Sequence, residues 1–130
     1  MPRLTFRNPP GLHATGGRYS HSAIVEEATR WVLLSGQVGT RPDGTVAPTP
    51  EEQCAVAMAN ILALLADAGM GPANIVKMTV FLTDPAIIPA YRAARAQAFG
   101  EGFAPASTLL IVAGLASPDY AVEIEAIACA

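Results

Sequence analysis

Charge is scarce in this chain. Charged residues fill only 15% of its 130 positions, and the eight lysines and arginines form no cluster. With a formal net charge of −3, the chain lacks the basic footprint that phosphate binding needs, which argues against a nucleic-acid partner. Cysteine is nearly absent: Cys54 and Cys129 stand far apart, with no CxxC spacing and no matching histidines. That excludes a disulfide scaffold and a zinc site and predicts two reduced thiols. Apolar runs are interrupted well short of a membrane span, and the start, Met1-Pro2-Arg3-Leu4-Thr5-Phe6-Arg7, has no continuous apolar h-region. The expectations are no membrane, no cofactor, no metal and a cytoplasmic location.

What the chain has in excess is apolar surface. Hydrophobic residues make up 52% of it, more than one compact domain over residues 1–130 needs for its own core, so part of its surface is expected to be covered by other subunits. Arg3 to Phe6, Tyr19 to Glu26 and Thr29 to Val38 read as strands, the first two separated by a Pro/Gly-rich loop. Thr49-Pro50-Glu51-Glu52 opens a helix: threonine caps, proline fits the first helical position and Glu52 completes a capping box. It runs to about Ala68, with Cys54, Met58, Ile61, Leu62 and Leu65 as its inward stripe. Ile75 to Thr83 is a strand, Asp84-Pro85 opens a second helix that ends near Phe99-Gly100, and Ser107 to Val112 and Tyr120 to Ala128 are the last strands.

The order β-β-β-α-β-α-β-β predicts an α/β domain, a mixed sheet with two helices on one face. Alternation puts Val76, Met78, Val80 and Leu82 under the helices. The second face then collects Ile75, Lys77, Thr79 and Phe81, with Ser35, Gln37, Ser107, Leu109, Ile111, Glu123 and Glu125. This mostly apolar surface with a few polar groups suits an intersubunit contact enclosing small sites. The two acids carry the most information. In Val122-Glu123-Ile124-Glu125-Ala126 they point the same way inside an apolar strand, and an unpaired buried carboxylate costs several kcal/mol or takes up a proton. Such a strand either faces water or builds a polar site.

Five segments, in order, resemble the Rid proteins, reactive intermediate deaminases also called YjgF-like. They are Gly17-Arg18-Tyr19-Ser20, Leu34-Ser35-Gly36-Gln37-Val38, the run from Asn74 to Asp84, the Pro105-Ala106 pair before a strand, and Val122 to Ala128. The resemblance spans nearly the whole chain. It implies an architecture similar to the bacterial trimeric chorismate mutase, a homotrimer with a small-molecule pocket at each subunit interface. It also implies addition of water to a 2-imino acid or its enamine, releasing ammonia and a 2-keto acid.

Carried onto this chain, the resemblance implies Glu123 as the water-positioning acid, Tyr19 as a pocket residue, and Gly36, after Ser35, as the carbonyl that meets the reacting nitrogen. The family's carboxylate-binding arginine directly follows the Pro-Ala pair, where this chain has Ser107; Leu109 stands where many members have cysteine. A neutral hydroxyl supplies neither the charge nor the two-pronged geometry of a guanidinium, so altered substrate specificity is expected. Arg92 falls where the family usually has asparagine, and either returns a positive charge to the site or lies on a solvated helix face, as does Arg95.

Chemistry alone gives Glu123 two readings. It is an acid-base group for C=N hydrolysis, or a structural acid paired with Lys77 or an arginine. Glu125 is expected in an intersubunit ion pair. His13 and His21 stand isolated in the sequence and suggest no triad. The alternative function is a non-catalytic small-molecule-binding or partner-binding trimer that kept the fold. Ribonuclease activity, sometimes attached to this family, conflicts with the acidic balance.

Overall fold

A computed structural model describes residues 2–130. Its strands are β1 (Arg3–Arg7), β2 (Ser22–Glu26), β3 (Trp31–Val38), β4 (Ile75–Leu82), β5 (Ala106–Ile111) and β6 (Val122–Cys129); its helices are α1 (Pro50–Asp67) and α2 (Ile88–Phe99). The expected order holds. The main sheet is mixed and four-stranded, ordered β3-β6-β4-β5: β4 and β5 run parallel across the α2 crossover, and β6 lies antiparallel between β3 and β4. β1 and β2 form a separate antiparallel pair. They join the main sheet at one bridge, Ser20 to Ala106, where the Ser20 N–H donates to Pro105 O at 2.9 Å and its hydroxyl to Ala104 O at 2.7 Å.

Tyr19 lies outside β2 because the chain around it bonds elsewhere. The amide of Ser20 goes to Pro105 and that of His21 to the Asn8 side chain, so pairing with β1 starts only at Ser22. Helix α1 starts at the predicted cap, with Thr49 Oγ1 accepting from the Glu52 N–H at 3.2 Å. The reciprocal half of the capping box is missing: the Glu52 carboxylate turns to Arg41, at 3.4 Å. At the other end, Gly69 takes φ +73°, its N–H reaches Ala66 O, and the Met70 N–H reaches Leu65 O. This closes the last turn as a Schellman motif, and Arg30 donates to Ala68 O at 2.7 Å. Asp84 caps the second helical segment, whose first turn, Pro85–Ile87, is a 3-10 turn.

The core lies between α1 and the sheet. Cys54, Ala57, Met58, Ile61 and Leu65 face Leu34, Met78, Val80, Leu82, Val122, Ile124 and Ala126, all buried. Each large apolar side chain buried here contributes about 1.5–3 kcal/mol. Leu62 is only half-buried and lines a groove between the two helices. Burial, reinforced by the Glu51 charge, pushes the Cys54 thiol up to about 11, and burial also raises that of Cys129, so both cysteines act as core groups.

Three departures from simple alternation set the faces of the sheet. A bulge between Ile75 and Lys77 brings Ile75 into the core in place of Val76. A second, between Leu34 and Gln37, sets Gln37 level with Ile124 instead of with an acid. The parallel register pairs Ser107, Leu109 and Ile111 with Met78, Val80 and Leu82. These three β5 residues therefore lie on the helix side, not on the open face, and Thr108 and Leu110 take the open side beside Thr79 and Phe81. β6 behaves as predicted: Val122, Ile124 and Ala126 are buried, and Glu123 and Glu125 pair with Phe81 and Thr79 on the open face. That face keeps Trp31 51%, Leu33 71% and Leu110 41% exposed. Among the described residues no helix is long and apolar enough to cross a membrane.

Gln53 ties the loops to the core. Its Nε2 donates to Ala47 O at 3.0 Å and Asp119 O at 2.9 Å, and its Oε1 accepts from the Ala121 N–H at 2.8 Å. Gly39 is packed so closely on it that an added Cβ would sit 2.6 Å from the Gln53 Cα. Gln53→Leu is expected to cost about 2–4 kcal/mol, since it strands a buried amide and two carbonyls. Urea unfolding at fixed protein concentration measures this; a change under about 0.5 kcal/mol would contradict the linking role of Gln53.

Candidate functional site

A cavity of about 390 Å³ opens between α2, β5 and the loop before β2. Helical spacing puts Ile88, Tyr91, Arg92 and Arg95 on one face of α2, and that face forms one wall. Ser107, Thr108 and Leu109 of β5 form a second wall, and the loop adds Thr15, Arg18 and Tyr19. The structure thus brings together Tyr19, Arg92 and Ser107. Arg92 borders the cavity, and its side chain is exposed. Sequence reasoning passed over Arg18 and Tyr91, and left Arg95 open between the site and a solvated face.

The two histidines are not isolated in space. Gly16 and Gly17 take φ +71° and +75°, a left-handed turn that folds the loop back on itself. His13 Nε2 then meets the Tyr19 hydroxyl at 2.9 Å, and the His13 and His21 rings pack edge to face at 4.7 Å. His21 Nε2 lies 2.8 Å from His13 O, an acceptor, so His21 carries its proton on Nε2. The cluster holds the Tyr19 ring at the cavity mouth. The glycine pair was the signal in the sequence, but only the folded loop says which side chains it joins.

A second group sits on the open face. Glu123 is half-buried beside Gly36, and a Cβ on Gly36 would lie 2.7 Å from the Glu123 Cδ, so a side chain at 36 would push this carboxylate from its place. Gly36 and Ser35 fall in the bulge of β3, where Ser35 is exposed and its carbonyl accepts from Gln37 Nε2 at 3.2 Å. Among the described residues the Glu123 carboxylate has no hydrogen bond and no ion pair, and Lys77, its candidate partner, bonds Thr108 Oγ1 at 2.6 Å instead. Glu125 is exposed.

Within one chain, then, the six candidate residues form two groups. Tyr19, Arg92 and Ser107 surround the cavity on the helix side; Ser35, Gly36 and Glu123 lie on the opposite face of the sheet. The first group offers two hydroxyls and one cation for holding a small polar molecule. The second offers an unpaired carboxylate able to orient water.

Known proteins share both sequence and fold with this chain. It is 36% identical to the RutC family protein YjgH of Escherichia coli over 85 residues, 65% of this chain and 64% of YjgH, just under two thirds of that relative's length. It is 34% identical over 100 residues, 75% of this chain and 77% of the relative, to TdcF of Escherichia coli, which carries the name of a reactive intermediate deaminase. The crystal structure of YyfB from Yersinia pestis, a protein of the Rid family, superposes with a TM-score of 0.85 at 28% identity over 98% of both chains. That of TdcF with bound serine superposes with a TM-score of 0.72 at 30% identity, over 86% of this chain and 87% of TdcF. Residues 12–130 match the family model described as Endoribonuclease L-PSP, and with these relatives the chain belongs to that family, whose members include the Rid, or YjgF-like, proteins.

Proposed function

We propose that this chain is a Rid-type hydrolase of imines or enamines, working as a homotrimer whose site is closed between copies. The observation that carries the reading is the unpaired carboxylate of Glu123, lodged against Gly36 on a sheet face that the helices leave open. In this reading the open face of one copy meets the cavity of the next, so that Glu123, Ser35 and Gly36 of one subunit join Tyr19, Arg92 and Ser107 of its neighbour. The kinship with TdcF supports the class of reaction.

The chemistry follows from the groups. Water held by the Glu123 carboxylate loses a proton to it as its oxygen adds to the C=N carbon, giving a carbinolamine. Glu123 gives that proton to nitrogen to complete the carbinolamine, then takes the hydroxyl proton and passes it to nitrogen as the C–N bond breaks, so that ammonia leaves and the carbon keeps oxygen as a carbonyl. The Gly36 carbonyl accepts from the substrate N–H, and the Tyr19 hydroxyl, held by His13, packs against the substrate. Ser107 in place of arginine changes how the substrate is anchored, and so which substrate is taken. The same Ser107 favours, as a second reading, a trimer that binds a metabolite without turning it over.

Glu123→Gln keeps the shape and removes the base. With imines generated in situ by an amino acid oxidase, ammonia release is expected to fall by about a hundredfold or more. Full activity in this variant would eliminate Glu123 as the catalytic group, and a metabolite bound without turnover by the unaltered protein would favour the second reading. Gly36→Ala presses on the carboxylate from the side and moves it. Its kcat is expected to fall about tenfold or more with unfolding little changed, and an unchanged kcat would show that the placement of Glu123 does not matter.

A further inference from the structure

Three arginines line the α2 cavity, Arg18, Arg92 and Arg95, and no Asp or Glu lines it with them. None of the three makes an ion pair among the described residues, where the pairs are Arg3 with Glu26 and Arg41 with Glu52. In a chain of net charge −3 this is a local reversal of sign, focused by the low-dielectric walls of a cleft. The Arg95 guanidinium carbon lies 5.9 Å from the ring centroids of both Tyr91 and Phe103, contacts that orient its plane without neutralising its charge.

Tyr91 lies under these arginines, with its hydroxyl against Arg95. The residue is only 3% exposed, and its hydroxyl has no hydrogen-bond partner among the described residues. Burial pushes its phenol up, opposed by the Arg95 charge, so it stays a neutral donor. A buried polar group left unpaired costs about 1–3 kcal/mol. The hydroxyl is closed off from solvent and lies against Arg95, so a ligand meets it through that guanidinium.

Charge sets the class of ligand. Arg18 and Arg92 are exposed and otherwise face water, and a dianion can meet two guanidiniums at once where a monocarboxylate meets one. If Glu123 of a second copy enters beside the cavity, three cations against one acid still leave two positive charges. We propose that this cavity binds a small organic dianion, a dicarboxylate or a phosphate monoester, through Arg18, Arg92 and Arg95 in place of the strand arginine that Ser107 replaces. Only the link from this binding to turnover rests on the hydrolase reading.

Calorimetric titration of the full chain at low ionic strength, with succinate, inorganic phosphate and butanoate as probes, tests it. At least one dianion is expected to bind about tenfold more tightly than butanoate, and more weakly as salt is added. Tight succinate alone identifies the dicarboxylate class, and tight phosphate alone the phosphate esters. Arg92→Gln is expected to weaken the dianion about tenfold. Tyr91→Phe is expected to weaken it with no loss of thermal stability, and Arg3→Gln, outside the cavity, to leave it unchanged. Dianions no tighter than butanoate, or an affinity indifferent to Arg92→Gln, would overturn the proposal. Failure of dianion binding with imine hydrolysis intact removes this inference alone; tight binding without turnover removes the hydrolase reading alone.

Discussion

A sheet has two faces, and this chain has helices for only one of them. The core forms where α1 covers Met78, Val80, Leu82, Val122, Ile124 and Ala126, and among the described residues no helix covers the other side. Trp31, Leu33 and Leu110 are left in solvent there, beside Phe81 and the two acids of β6. Exposed apolar surface on a folded domain is a driving force for association, and a half-buried carboxylate at its centre needs a polar partner or water. The apolar excess, the position of Glu123 and the separation of the candidate residues into two groups all follow from this one-sided packing.

The separation gives each group a distinct task. The helix side holds arginines and hydroxyls around a cavity, and the open side holds an acid without a counter-charge. Gly36 contributes by absence: the space where its side chain would stand is occupied by the carboxylate.

Much of the fold was legible because local chemistry determines it. Thr49-Pro50 and Asp84-Pro85 mark helix starts through backbone groups within a few residues, and both side chains cap as predicted, although Glu52 turns to Arg41 instead of closing the box. The alternation in β6 was equally plain. What the sequence hid depends on register and on contacts between distant segments. Ser107 changed sides because the parallel pairing with β4 aligns it with Met78, and a shift of one residue reverses a whole strand. The bulges at Val76 and at Ser35-Gly36 break the alternation without any local warning. His13 and His21 looked solitary because only the folded loop brings them to Tyr19. Arg18 was overlooked and Arg95 left open for the same reason, since an arginine facing a cavity and one facing water have the same sequence signature.

The central claim is that the site is built from two copies, with Glu123 on one and the cavity on the other. Mixing two inactive variants tests it most directly. Glu123→Gln keeps an intact cavity, and Tyr19→Ala keeps an intact acid. Co-expressed and assembled at random, they restore both intact halves at roughly a quarter of the interfaces, and so roughly a quarter of the unaltered activity, although each alone is nearly inactive. A mixed assembly no more active than its two parents would place the whole reaction within one subunit and contradict the account.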